Sequence, residues 1–137
     1  MSVNTVLQSG LIEKEIIYET YHSNKSVKNQ IVKIGFQHYL KIYSQDGNLI
    51  GNAQISEERK LHGEAISYYE NGNIHCILHY INHQLHGFAQ GFYYGGKKSL
   101  EILFQNEIAV KGAFFKKSGA RFEMTKEQLK RKTEKTI

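Results

Sequence analysis

The sequence predicts an all-β protein: an elongated, single-layer antiparallel sheet of repeated β-hairpins, followed by a short C-terminal helix. Three observations predict it. Leu61-His62-Gly63-Glu64-Ala65-Ile66-Ser67-Tyr68-Tyr69-Glu70-Asn71-Gly72 is answered by Leu85-His86-Gly87-Phe88-Ala89-Gln90-Gly91-Phe92-Tyr93-Tyr94-Gly95-Gly96, each landmark displaced by 24 residues. A fixed period in that range marks a repeat architecture. Asn71-Gly72 and Gly95-Gly96 stand between aromatic and β-branched runs, a strong hairpin signal. The 137 residues include no proline or tryptophan but 12 glycines, 9 tyrosines and 7 phenylalanines. Turns therefore fall to glycine, asparagine and aspartate, while the aromatics favour strands.

Along the chain, Ser9-Gly10 followed by Leu11 to Tyr18 reads as a turn and a strand, and Gly35-Phe36 to Tyr43 as another. Register between residues 20 and 33 is not readable, and residues 1–34 are assigned to a degenerate N-terminal cap of the kind repeat arrays need. After Asp46-Gly47, the residues Leu49, Gly51, Ala53 and Ile55 share one face by alternation. The clearest repeats are 61–84 and 85–108. After Gly72, the same phase places Cys76, Leu78 and Tyr80 on the better-buried face, and their equivalents are Leu100, Ile102 and Phe104. The opposite face is mixed, with His75, Ile77 and His79 answered by Ser99, Glu101 and Leu103. On the preceding strand Ala65, Ser67 and Tyr69 correspond to Ala89, Gly91 and Tyr93, which predicts rings lying over small residues of the adjacent strand.

Two kinds of turn alternate. Asp46-Gly47, Asn71-Gly72, Gly95-Gly96 and Ser118-Gly119 are expected to be tight, whereas Asn82-His83-Gln84 and Asn106-Glu107 are expected to be looser. The glycines assigned to structural turns are Gly47, Gly63, Gly72, Gly87, Gly96, Gly112 and Gly119. Each unit is then one hairpin, in an array of about five over residues 1–124. Thr125-Lys126-Glu127-Gln128 matches a capping box, so residues 125–137 form a basic helix or tail. Leu129 is its one central apolar residue, which makes the helix marginal on its own.

Charge is unevenly distributed. Residues 111–137 carry nine Lys/Arg against three Glu, a net +6, which leaves −1 for the first 110 residues. A single cysteine fits a reducing compartment and no internal disulfide framework. Met1 to Gly10 lacks the basic and apolar regions of a secretory signal. No stretch approaches the roughly 18 apolar residues of a membrane span. The expected location is cytoplasmic.

Leu-His-Gly-x-Ala-x-x-x-Tyr-x-x-Gly, preceded by Tyr80-Ile81-Asn82-His83-Gln84, resembles the MORN repeat and is similar to its bacterial variant type. The match is good over 61–108 and fair over 35–60 and 109–122. It departs from the pattern at Ala65 and Ala89, which replace a second glycine, at Asn82-His83, which replaces asparagine-glycine, and in the missing tryptophan after the tyrosine. The resemblance implies a twisted single-layer sheet of hairpins with a grooved face. It also implies binding roles, antitoxins and membrane-associated scaffolds among them.

No constellation points to catalysis. His75, His79 and His83 are spaced as a metal face would be on a helix. On a strand, however, successive members are about 13 Å apart, too far to share an ion with ligand bonds near 2 Å. His62 and His86 recur before a glycine, which suggests a structural job: stacking along the ladder or bonding a turn carbonyl. Cys76 lies in the apolar phase, where a thiol is inert. Gly91, Gly95 and Gly96 do not precede a helix, and Glu57-Glu58 fall on a solvated loop with Arg59 and Lys60. Neither a metal nor a cofactor is expected.

The alternation puts Phe36, Tyr68, Phe92 and Tyr94 on the face opposite the core, as candidate partner-binding residues. Lys126, Lys130, Arg131, Lys132 and Lys135 are candidates for binding an anion or anionic lipid. The leading expectation is a non-catalytic protein-binding module, with toxin neutralisation as one form. The alternative is a membrane-surface adaptor or secreted effector acting through the basic C-terminal end. Low aromatic content in that end argues against nucleic acid. An exposed terminal strand is compatible with a homodimer.

Overall fold

The computed structural model describes residues 4–6 and 13–136, with side chains placed over 13–134. The strands are β1 (Asn4–Val6), β2 (Glu13–Tyr21), β3 (Val27–Ile34), β4 (Gln37–Tyr43), β5 (Leu49–Ile55), β6 (Leu61–Tyr68), β7 (Ile74–Ile81), β8 (Gln84–Leu85), β9 (Gly87–Phe92), β10 (Lys98–Gln105), β11 (Ile108–Phe115) and β12 (Arg121–Glu123). The helix α1 (Lys126–Thr136) follows. They form one antiparallel sheet whose order is the chain order, except that the two-residue β8 pairs with β7 beside β9. Ser9-Gly10 lies outside the described residues.

The hairpin loops fall on two opposite rims. On the first rim, residues 22–26, 44–48, 69–73, 93–97 and 116–120 adopt one repeated loop. In each, the first residue's N–H bonds the fifth residue's carbonyl, and the fourth residue's N–H bonds the first's carbonyl. The fourth residue has positive φ: Gly47, Gly72, Gly96 and Gly119, with Lys25 in the earliest copy. This is a turn followed by a left-handed residue, the common three-residue hairpin loop. The second rim holds the same loop once more at 56–60, with Arg59 at positive φ, and two-residue turns at Asn82-His83 and Asn106-Glu107, both central residues at positive φ, as a type I′ turn requires. The sequence expectation for turn tightness is therefore reversed: the asparagine-glycine and glycine-glycine loops are the longer ones. Asparagine adopts positive φ readily at the first position, and His83 and Glu107 hold it at the second, so neither turn contains glycine.

Residues 13–34, assigned by sequence to a degenerate cap, form a regular hairpin whose loop at 22–26 matches the others. Its register places Lys14 opposite Ile34 and Tyr18 opposite Ile31, with a bulge between.

Alternation along the strands builds the core on one face. Pairing brings Ile31, Leu40, Ala53, Ala65 and Leu78 into one cross-strand row, and Ala89, Ile102 and Gly112 into another. Leu85, Ala89, Ile102, Phe104, Ala109 and Met124 form the buried cluster, with Leu78, Tyr80, Leu100, Phe114 and Leu129 packed against it. Burying a phenylalanine such as Phe104, 2 % exposed, contributes about 1.5–3 kcal/mol. Gly51, Ala53 and Ile55 are also buried, as their phase predicts.

Gly63, Gly87 and Gly112 are not in turns. Gly63 lies inside β6, Gly87 begins β9 and Gly112 lies inside β11.

At the C-terminal end of the sheet, β11 is covered in two parts. β12 pairs only with residues 113–115 of β11, which leaves the earlier half of that edge to α1. Ala109 N–H donates to Thr133 Oγ1 at 2.8 Å, and Met124 N–H to the Gly112 carbonyl at 2.9 Å. α1 thus covers the part of the β11 edge that β12 leaves open, while the three residues of β12 itself are exposed. The capping box forms as the sequence predicts: Gln128 N–H donates to Thr125 Oγ1 at 3.2 Å, and Thr125 N–H to Gln128 Oε1 at 2.9 Å. No helix among the described residues is long and apolar enough to cross a membrane.

Candidate interaction surface

Side chains of the first rim tie each hairpin to the next. Tyr69 OH donates to the Phe92 carbonyl at 2.5 Å, and Tyr93 OH to the Phe115 carbonyl at 2.6 Å. His22 Nε2 reaches the Tyr43 carbonyl at 2.8 Å from the equivalent loop position. Tyr69 and Tyr93 thus bond the neighbouring hairpin through their hydroxyls. The bulges between Ser67 and Tyr68 and between Lys98 and Leu100 shift the strand ends out of register, and the rings stand on the rim. A second set of ties runs from Asn71 Nδ2 and Asn73 Nδ2 to the Tyr94 carbonyl, at 3.2 and 3.0 Å.

Where two of these ties adjoin, a cleft of about 440 Å³ opens, lined by Tyr69, Tyr93, Tyr94, Gly95, Lys97 and Lys117. The Tyr69 and Tyr94 rings are 5.2 Å apart, and Tyr69 meets His75 edge-on at 4.8 Å. Lys117 Nζ lies 5.6 Å from the centre of the Tyr93 ring, close enough for a cation–π attraction. Lys97 Nζ donates to the Lys117 carbonyl at 3.0 Å. Rigid aromatic walls and two ammonium groups suit a mixed acidic and apolar ligand.

The four candidate partner-binding residues do not share one face. Tyr68 and Phe92 end β6 and β9 on the first rim, and Tyr94 projects from the loop there, 57 % exposed. Phe36 is fully exposed in the Gly35-Phe36 turn on the second rim. Alternation assigns faces only while a strand continues, and Phe36 and Tyr94 lie in loops. Tyr69 and Tyr93 were missed as parts of this surface. The signal for them was the recurrence of tyrosine, 24 residues apart, just before the Asn71-Gly72 and Gly95-Gly96 turns.

Cations gather beside rings at the adjoining corner. Lys98 and Arg121 stand over Phe115 at 5.7 Å each, and Lys116 over Phe122 at 5.2 Å. On α1, Lys126 and Lys130 flank a groove of about 430 Å³ against Ile108 and Val110. Arg131 lies 3.9 Å from Glu127. The Lys135 side chain lies outside the described residues.

The histidines are held in separate structural bonds. His75 Nδ1 meets Ser67 Oγ at 3.1 Å, and His79 Nδ1 meets the Phe88 carbonyl at 2.9 Å. His83 Nδ1 accepts the Leu61 N–H at 3.1 Å. His62 Nδ1 accepts the Asn82 N–H at 3.2 Å, so in that copy the recurrent histidine bonds a turn N–H and not a turn carbonyl. Cys76 Sγ lies 3.0 Å from Ser67 Oγ on the core side. Among the described residues, no three His, Cys, Asp or Glu side chains group closely enough to hold a metal ion.

No curated protein matches the chain. Residues 61–82 match the family model of the MORN repeat variant, a stretch that runs through β6, the 69–73 loop and β7 and so corresponds to one hairpin of the array.

Proposed function

We propose that this protein is a non-catalytic protein-interaction module whose first rim receives a segment of a partner protein. The observation that carries this reading is the cleft of Tyr69, Tyr93 and Tyr94 with Lys97 and Lys117, because rigid rings bury large area at low entropic cost. The MORN repeat match at 61–82 supports it, since such repeats generally serve as binding modules. Repetition also lays similar groups along a surface and does not converge different ones on a reacting atom. Neutralising a toxin is one form of this role, and it rests on the resemblance alone.

Tyr94→Ala tests the reading, because the ring is exposed on a loop outside the buried cluster. The protein eluted from an affinity pull-down with the unaltered chain should be depleted at least about tenfold with the variant, the effect of a hot-spot aromatic. Circular dichroism should be unchanged. Undiminished capture by a folded Tyr94→Ala variant would count against the cleft.

A second reading, binding to anionic lipid, is favoured by the cations over Phe115 and Phe122. Binding to anionic vesicles should then collapse as salt rises and vanish on charge reversal of Lys116 and Arg121.

A further inference from the structure

The ties on the first rim fail at one seam. Between loops 22–26 and 44–48, His22 reaches the Tyr43 carbonyl, and Asn24 Nδ2 and Ser26 Oγ reach the Gln45 carbonyl at 3.2 and 3.1 Å. Between loops 69–73 and 93–97, the Phe92 and Tyr94 carbonyls receive Tyr69, Asn71 and Asn73. Between loops 93–97 and 116–120, the Phe115 and Lys117 carbonyls receive Tyr93 and Lys97. The equivalent acceptors between loops 44–48 and 69–73 are the carbonyls of Tyr68 and Glu70. Among the described residues, no side chain is seen to donate to either.

The sequence accounts for two of the missing donors. The first loop residue here is Ser44, too short to cross to the next hairpin, and its Oγ accepts the Asn48 N–H at 3.2 Å. The third is Asp46 where the other loops that make this tie have asparagine, and an ionised carboxylate has no proton to donate. The fifth, Asn48, is of the same type as Asn73, but its side chain is not seen to reach the Glu70 carbonyl. A cleft of about 410 Å³ occupies the seam, bounded by Asn48, Leu49, Tyr68, Tyr69, Glu70 and Asn71.

We propose that this seam is a docking site for a tyrosine side chain of a partner protein, presented beside lysine or arginine. The neighbouring seams show what fills the place: an aromatic ring lying across the gap, its polar end bonded to the carbonyl that precedes the next loop. A partner's phenol would lie against Leu49 and Tyr68 and donate to the Tyr68 carbonyl. Asp46 and Glu70 supply the negative charge that a flanking cation meets. The site shares Tyr69 with the Tyr93–Tyr94 cleft but lies on the other side of the 69–73 loop, and that cleft carries lysines.

The test uses the full chain labelled with 15N and the peptide acetyl-Gly-Lys-Tyr-Lys-Gly-amide. Amide shifts should concentrate in residues 44–49 and 68–73. The phenylalanine analogue should bind about fivefold more weakly, the effect of one neutral hydrogen bond. Ser44→Tyr fills the seam from within and should abolish the shifts while keeping a dispersed spectrum. If that variant does not fold, Ser44→His installs the side chain that His22 uses and carries the same expectation. Equal binding of the two peptides, or undiminished binding to the filled variant, overturns the proposal. Shifts confined to 93–97 and 116–117 also overturn it, while leaving the function proposed for the neighbouring cleft intact.

Discussion

Alanine at the repeat-equivalent positions Gly63, Gly87 and Gly112 should destabilise the protein unequally, in the order 63, 112, 87. At Gly87, φ is +89° and an added Cβ would meet only His79 Cβ, at 3.8 Å. The cost there is backbone strain alone, about 1 kcal/mol. At Gly112 φ is not in the left-handed region, but the Cβ would lie 2.8 Å from the Glu101 carbonyl oxygen, 2.9 Å from Met124 Sδ and 3.1 Å from Ile102 Cγ1. The carbonyl belongs to the β10 backbone and cannot retreat cheaply, so overpacking costs about 1–3 kcal/mol. Gly63 combines both causes. Its φ is +110°, and the Cβ would collide with the Gln54 side chain, whose Oε1 accepts the Glu64 N–H at 2.7 Å. The sum is about 2–4 kcal/mol. Urea unfolding followed by circular dichroism gives the three values, and each kcal/mol corresponds to a Tm shift on the order of 4 °C. Asparagine separates the causes, because it accepts positive φ. Gly87→Asn should recover most of the alanine loss, whereas Gly112→Asn should be at least as harmful as Gly112→Ala. A Gly112→Asn variant milder than the alanine, or three equal losses, would refute the reasoning.

Two further outcomes follow from the core and the C-terminal cover. Burial raises the Tyr80 pKa above its ordinary 10.0, with the charges of Cys76 and Glu107 adding to it. A raised phenol keeps its proton in the fold while the unfolded chain loses it, so stability should fall as pH rises from about 10 through the folded pKa. Tyr80→Phe should flatten that decline in a Tm-against-pH series, and an unchanged slope would exclude Tyr80 as its source. Thr133→Val removes the acceptor for Ala109 N–H and should cost about 1 kcal/mol. Hydrogen exchange at Ala109 should quicken, and unaltered protection there would mean that α1 does not guard the edge.

Much of the fold was legible because hairpin repeats are local. The echo from 61 to 85 located the strands, and alternation placed Leu78, Tyr80, Leu100, Ile102 and Phe104 against the core. The capping box at Thr125 formed as read, since it depends on neighbours three residues apart. Less of the surface was legible. Phe36 and Tyr94 left their assigned face because they lie in loops, where period two ends. The bonds of Tyr69 and Tyr93 join residues 23 and 22 apart and depend on bulges that alternation cannot show. The register of residues 20–33 was hidden because Lys25 holds a left-handed position that glycine marks in later repeats.

The sequence by itself determined the period, the strand content and the side of the sheet that becomes core, because these follow from backbone geometry and the spacing of apolar residues. Only the tertiary structure decided why repeat-equivalent residues do different work. Gly87 is set by φ alone and Gly63 by φ together with the Gln54 side chain, whereas Gly112 makes room for Met124 and the end cover. Ser44 leaves a seam open where Tyr69 and Tyr93 close theirs. A repeat copies local geometry, but each copy has different neighbours, and the contacts with those neighbours set the role of each residue.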